Sequence, residues 1–190
     1  MADPSAVLDA VVLDREGRGR RLGDVVGDRP AVLLFLRHFA CPSCSSNAHA
    51  FVARAPEIDR LGAKLVLIGT GEPAAMAAFG ERVGLFDGAL QIVCDPSLEA
   101  HRRASLRRSR ASTYGVRSVV RSLVLYARGH YAARRHDDGD VDQQGGLLVL
   151  DRRGETLYSH ESRWVGDDAS PNEVVDILLR EAALATAFGT

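Results

Sequence analysis

Residues 31–44 read Ala31-Val32-Leu33-Leu34-Phe35-Leu36-Arg37-His38-Phe39-Ala40-Cys41-Pro42-Ser43-Cys44. The first six positions form an uninterrupted apolar run, preceded by the turn-rich Gly27-Asp28-Arg29-Pro30. A short run without polar alternation suits a strand whose two faces are both covered. Cys41 follows five residues later, and from Pro42 the pattern turns helical. Pro42 falls at the first helical position, where its missing N–H is not needed. Ala48, Phe51, Val52 and Ala55 then recur at helical spacing. Pro56 is expected to kink this helix or to separate it from Glu57–Leu61. A buried strand therefore hands over to a helix at Cys-Pro-Ser-Cys.

Working outward, Val11-Val12-Leu13 before the turn Asp14-Arg15-Glu16-Gly17 predicts an N-terminal hairpin. Leu22–Val26 fits one helical turn. Downstream, Lys64–Ile68 reads as a second buried strand ended by Gly69-Thr70-Gly71, which lacks the Gly-Lys-Ser/Thr of a phosphate loop. Pro73–Val83 reads as a helix, Ala89–Cys94 as a strand closed by Asp95-Pro96, and Ser97 to about Leu106 as a helix. Residues 107–138 read as a helical or irregular insertion. Leu147–Leu150 is a fourth strand, turning at Asp151-Arg152-Arg153-Gly154 into Glu155–Tyr158. The helix Pro171–Ala187 is introduced by Ser170-Pro171-Asn172-Glu173, a capping box. Alternating elements imply an α/β fold: a central mixed sheet flanked by helices, with an N-terminal hairpin and the insertion before the last two strands. At 190 residues, one domain spanning 1–190 is expected.

Composition narrows the function classes. Apolar residues make up 46% and charged residues 26%, which excludes a disordered or collagen-like chain. A formal net charge of −1 gives no reason to expect nucleic acid as a partner. Three cysteines are too few, and odd in number, for a secreted disulfide scaffold. Met1-Ala2-Asp3-Pro4 does not open a secretory signal, and no apolar run approaches the ~18 residues of a span. No membrane association is expected, and the cytoplasm, where thiols stay reduced, is the expected compartment.

The strand-to-helix position gives Cys41 its chemistry. A helix N-terminus offers unpaired N–H groups and the positive end of the dipole, and both favour thiolate, the reacting species. Cys44 lies one turn along, within reach of a disulfide. Arg37 and His38 are close enough in sequence to add positive charge. Two other readings stand beside thiol redox chemistry: half of a zinc site, and two idle buried cysteines. A structural zinc site needs about four ligands. There is no second Cys-x-x-Cys, and the spacing of His38, His49, Cys94 and His101 does not suggest recruitment. No metal is expected.

Residues 32–44 resemble the active-site segment of the thioredoxin superfamily, and more narrowly the AhpC/TSA-type peroxiredoxin-like proteins related to prostamide/prostaglandin F synthases. Leu65-Val66-Leu67-Ile68-Gly69, Val93-Cys94-Asp95-Pro96 and Gly139-Asp140-Val141-Asp142-Gln143-Gln144-Gly145-Gly146 are similar to later family segments. The resemblance implies a thioredoxin-like fold and a thiol-dependent oxidoreductase, with Cys41 attacking and Cys44 resolving. It implies reduction of a peroxide or endoperoxide. A disulfide reductase, and a redox-regulated binding module without turnover, are the alternatives. No bound cofactor is implied, only an external thiol reductant such as thioredoxin or glutathione; a homodimer is compatible. The sequence departs from the Pro-x-x-x-Thr/Ser-x-x-Cys motif of peroxiredoxins, because Leu34 and His38 stand at the Pro and hydroxyl positions. Nor does it have the proline that thioredoxins place before the late strand; Gln144-Gly145-Gly146 stands there, and by position the Gln144 amide is a candidate donor to a substrate oxygen.

Other features have plainer readings. Cys94, at a strand end, reads as a small buried hydrophobe, with a second resolving thiol as the sharper alternative. Residues 101–136 hold ten Arg, three His and no acid, read as solvated side chains balanced by the acidic run that follows and by acids elsewhere, with a basic face for an anionic substrate, RNA or a partner as the sharper alternative. Tyr114, Tyr126 and Tyr131 either shape a pocket above the dithiol or pack. Trp164 reads as packing.

Overall fold

The computed structural model describes residues 3–84, 91–130 and 136–188. Strands β1 (Val11–Leu13) and β2 (Gly19–Arg21) form the hairpin, with α1 (Pro4–Leu8) before it and α2 (Leu22–Val26) after it. Then follow β3 (Ala31–Phe35), α3 (Pro42–Arg60), β4 (Lys64–Gly69), α4 (Pro73–Val83), β5 (Gln91–Cys94) and α5 (Glu99–Arg103). The insertion forms α6 (Arg110–Tyr114) and α7 (Val116–Ala127). Strands β6 (Gly146–Leu150) and β7 (Thr156–Glu161) and helix α8 (Pro171–Phe188) complete the order.

The seven strands lie in the order β2-β1-β5-β4-β3-β6-β7. β3, β4 and β5 are parallel neighbours, while β6 pairs antiparallel with β3, from Ala31↔Leu150 to Phe35↔Gly146. β3 thus has partners on both edges, and all five of its residues are buried. Its continuous apolar run follows from alternation between two cores. Val32 and Leu34 join α3, α4 and α8 through Phe51, Ile58, Met76, Phe79, Val174 and Leu178. Ala31, Leu33 and Phe35 join α1, α2 and α5 through Val7, Leu22, Val25 and Ala100. Burying each large side chain contributes roughly 1.5–3 kcal/mol.

Several boundaries differ from the sequence reading. α3 runs unbroken through Pro56, which lies on the exposed face, where a carbonyl that has lost its amide partner can turn to water. The helix expected from Ser97 shortens to Glu99–Arg103 because Leu98 adopts φ 59°. Ser97 is used to cap: its hydroxyl donates to Asp95, whose carboxylate accepts the Glu99 amide. Ala89 and Leu90, expected in β5, and Tyr131 lie outside the described residues.

Candidate active site

β3 ends at Phe35, and the Leu36 amide makes one last ladder bond to the Ile68 carbonyl at 2.8 Å. The chain then turns through residues 37–41 into α3. Loops from distant sequence fix this turn. The Phe39 amide donates to the Asp138 carbonyl (2.9 Å), Thr70 Oγ1 donates to the Arg37 carbonyl (2.5 Å), and the Asp140 amide donates to Thr70 Oγ1 (2.9 Å). Arg82 Nη2 donates to the Phe39 carbonyl at 2.6 Å, and the Phe39 ring packs on Phe79. The Gly69-Thr70-Gly71 loop thus braces the turn that presents Cys41.

Cys41 is the N-cap of α3, and Pro42 follows at the first helical position. Its sulfur accepts the Cys44 amide at 3.5 Å, in the place where Ser or Asp oxygens commonly sit. The two thiols are reduced, adjacent and buried, Cys41 at 2% and Cys44 at 5% exposure. A hydrogen bond from the Cys44 thiol is the main influence drawing the Cys41 thiol down to about 7; the Arg37 charge and the Cys44 amide add to it. Burial and the Asp168 charge oppose it. Cys44 goes the other way: burial and the neighbouring Cys41 sulfur push it well up. One thiol is therefore set to ionise while its neighbour keeps its proton, the division of labour required of an attacking and a resolving sulfur.

Arg37 is buried, and its guanidinium is held by oxygens from the insertion and from the loop between it and β6: Nε donates to the Gln143 carbonyl (3.1 Å), Nη2 to Thr113 Oγ1 (2.6 Å) and the Val141 carbonyl (2.7 Å). These partners are neutral, so its charge acts on the dithiol without cancellation by a bonded carboxylate. Gln144 is fully buried and shares Thr113 with Arg37. Its Nε2 donates to the Ser109 carbonyl, Thr113 Oγ1 and the Asp142 carbonyl. That amide is committed to the insertion, where it steadies the Arg37 clamp. His38 is half-buried, and its carbonyl accepts the Cys41 amide at 3.1 Å.

Sequence reading weighed His101 only as a zinc ligand. The structure makes it a buried brace. His101 Nδ1 lies 2.9 Å from Asp95 Oδ2, and Nε2 lies 3.0 Å from the Leu36 carbonyl oxygen. Both partners accept, so both bonds form only when the ring carries two protons. Leu36 C=O belongs to the same peptide unit as the Arg37 N–H, which donates to Cys44 Sγ at 3.2 Å. The Asp95–His101 pair thus steadies, through one peptide, the donor that holds the Cys44 sulfur. No motif marks the Asp95-to-His101 spacing; the pairing depends on the β5–α5 loop. Among the described residues, no three His, Cys, Asp or Glu gather into a metal-binding group. Cys94 is fully buried, its thiol donates to the Leu13 carbonyl at 3.7 Å, and burial pushes it up to about 12.

A cleft of about 10 Å³ opens beside the dithiol, lined by Cys44, Ser43, Asn47, Trp164 and Asp168 among others. That is room for about one water. Asp168 is an exposed residue with its carboxyl turned inward to accept from Ser43 Oγ at 2.7 Å; burial of that carboxyl raises it above the usual aspartate range. The cleft touches Cys44 and not Cys41, so an oxidant reaching Cys41 requires the surrounding side chains to shift. Trp164, expected only to pack, is part of the mouth. Tyr114 and Tyr126 are exposed and do not line it. Arg107 and Arg108 pair with Glu161 and Asp140.

Comparison with known proteins agrees with this geometry. A family model described as AhpC/TSA antioxidant enzyme matches residues 50–163, beginning just after the dithiol. The thioredoxin-like protein AAED1, chloroplastic, of Arabidopsis thaliana is 28% identical over 177 residues, covering 88% of this chain and 70% of the relative. A prostamide/prostaglandin F synthase of Salmo salar is 28% identical over 147 residues, covering 76% and 71%. The peroxidoxin BcpB of Mycobacterium tuberculosis has the same fold, with a TM-score of 0.65 at 21% identity, over 94% of this chain and 96% of that one. The family match spans more than half of the chain, and its fold is the thioredoxin-like fold of peroxiredoxins. The chain therefore belongs to the AhpC/TSA antioxidant enzyme family, as a peroxiredoxin-like thiol oxidoreductase.

Proposed function

We propose that Cys41 is the attacking thiolate and Cys44 the resolving thiol of a two-electron reduction of a small peroxide. The Cys41 thiolate attacks the distal peroxide oxygen, the O–O bond breaks, and a proton delivered to the leaving oxygen releases water or an alcohol. Cys41 becomes a sulfenic acid. The Cys44 sulfur then forms an S–S bond with Cys41, and the sulfenic oxygen leaves as water. An external dithiol, such as thioredoxin, or glutathione returns both sulfurs to thiols. Arg37 supplies charge, Gln144 and His101 act through positioning, and the reaction needs no prosthetic group. A reducing compartment such as the cytoplasm suits a resting dithiol.

The observation that carries this reading is the opposite tuning of two adjacent sulfurs, Cys41 down and Cys44 up, at a helix N-terminus. Burial of both sulfurs favours a small oxidant over a protein disulfide. The Cys-x-x-Cys spacing itself supports disulfide reduction as the second reading. Reduced protein mixed with one equivalent of hydrogen peroxide should lose two thiols and form a Cys41–Cys44 disulfide by peptide mapping. Cys41→Ser should abolish the reaction. Sluggish peroxide consumption together with rapid exchange with a model disulfide would replace the first reading with the second.

A further inference from the structure

Helix α7 (Val116–Ala127) is turned inside out. At 100° per residue, Val116, Val119, Val120, Leu123 and Val124 fall on one stripe about 140° wide. A surface helix normally packs such a stripe on the core, yet all five are exposed, Val116 at 81% and Leu123 at 64%. The buried positions of the helix are Ser118 and Leu125. The Ser118 hydroxyl accepts the Val165 amide at 3.0 Å, which fixes this orientation. Tyr114 and Tyr126, both exposed, stand near the two ends.

The charge around the stripe is equally one-sided. Residues 101–136 carry ten Arg and no acid, so in a chain of net −1 the remainder carries about −11. Arg117 and Arg128 border the stripe on one side, and both are exposed. Among the described residues, neither has a carboxylate within 4 Å. The Arg117 guanidinium lies 5.4 Å from the Trp164 ring, which lines the cleft beside Cys44.

We propose that α7 docks the protein in the plane of an anionic phospholipid surface. The surface must be apolar and negative at once, and a bilayer interface supplies both, with acyl carbon for the stripe and phosphate for the arginines. Tyrosines at the margins suit the headgroup level. A second copy of the chain is disfavoured, because α7 contains no acid to offset arginines brought together by self-pairing. Lying on a membrane differs from spanning one, and among the described residues no helix is long and apolar enough to cross. Docked this way, the dithiol mouth lies at the edge of the lipid-facing surface. The inference does not depend on the dithiol chemistry.

Co-sedimentation with vesicles tests it. The full chain should bind phosphatidylcholine vesicles containing phosphatidylserine about tenfold or more tightly than phosphatidylcholine alone, and the preference should shrink as salt rises. Val120→Glu combined with Leu123→Glu should weaken binding about tenfold or more, with melting curve and Cys41 alkylation rate unchanged because both positions are exposed. Arg128→Gln should reduce the anionic preference alone. Failure of the unaltered chain to bind either vesicle overturns the proposal, as does undiminished binding by the double variant. A dimer by light scattering that the double variant dissociates, with no vesicle binding, assigns the face to a second copy instead.

Discussion

Replacing Cys44 with alanine removes the hydrogen bond that contributes most to lowering the Cys41 thiol from 9.0 to about 7. The gap corresponds to about 2.7 kcal/mol in favour of the thiolate. If all of it is lost, thiolate at pH 7 falls from about half to about 1% of the protein, roughly fiftyfold. A more basic thiolate is also the better nucleophile, by about six- to tenfold over that span. The net fall in attack rate at pH 7 is then about five- to eightfold, while above about pH 8.2 the variant overtakes the parent. Crossing pH–rate curves are the signature. Iodoacetamide alkylation of Cys41, followed by mass from pH 5 to 11 in a Cys94→Ala background, measures them, with thiolate absorbance giving the midpoint. Cys44→Ser keeps a hydroxyl donor, and its midpoint should stay close to that of the parent. An unchanged midpoint in Cys44→Ala, or serine shifting as far as alanine, refutes the reasoning.

Cys94 titrates at about 12 in the fold against 9.0 for a free thiol. Below pH 9 its contribution to stability is therefore complete; as pH rises from 9 to 12 it is lost at about 1.4 kcal/mol per pH unit. Urea midpoints should show Cys94→Ala with a shallower alkaline decline than the parent, and equal slopes would contradict the assigned burial. His101→Phe leaves the buried Asp95 carboxylate and the Leu36 carbonyl without their ring partner. It should cost about 3 kcal/mol in denaturant titration, and a cost under about 1 kcal/mol would remove the brace from the account. A Cβ on Gly145 would lie 2.5 Å from the Phe35 carbonyl oxygen. Gly145→Ala should therefore destabilise by about 2 kcal/mol and loosen the β3–β6 pairing, visible as faster amide exchange in β6.

The placement of residues 41–44 was legible because local rules govern it. An apolar run, a proline at the first helical turn and two cysteines one turn apart specify a thiol at a helix N-terminus wherever the chain packs. The same holds for the hairpin at 11–21 and for α4, whose expected bounds match. Pro56 and Leu98 were harder. Whether a proline is tolerated depends on which face of α3 meets solvent, and a left-handed Leu98 pays off only through bonds to Asp95.

The sequence by itself determined the α/β alternation and placed Cys41 and Cys44 where a strand meets a helix, since turn chemistry and hydrophobic period act over a few residues. Tertiary structure alone decided that Arg37 is clamped by Thr113 and Val141, that Gln144 faces the insertion, that His101 bridges Asp95 to the peptide holding Cys44, and that α7 shows its apolar side to solvent. Those outcomes join residues from about 30 to more than 100 positions apart, separations over which local propensity carries no information and only the packing of the sheet sets who meets whom.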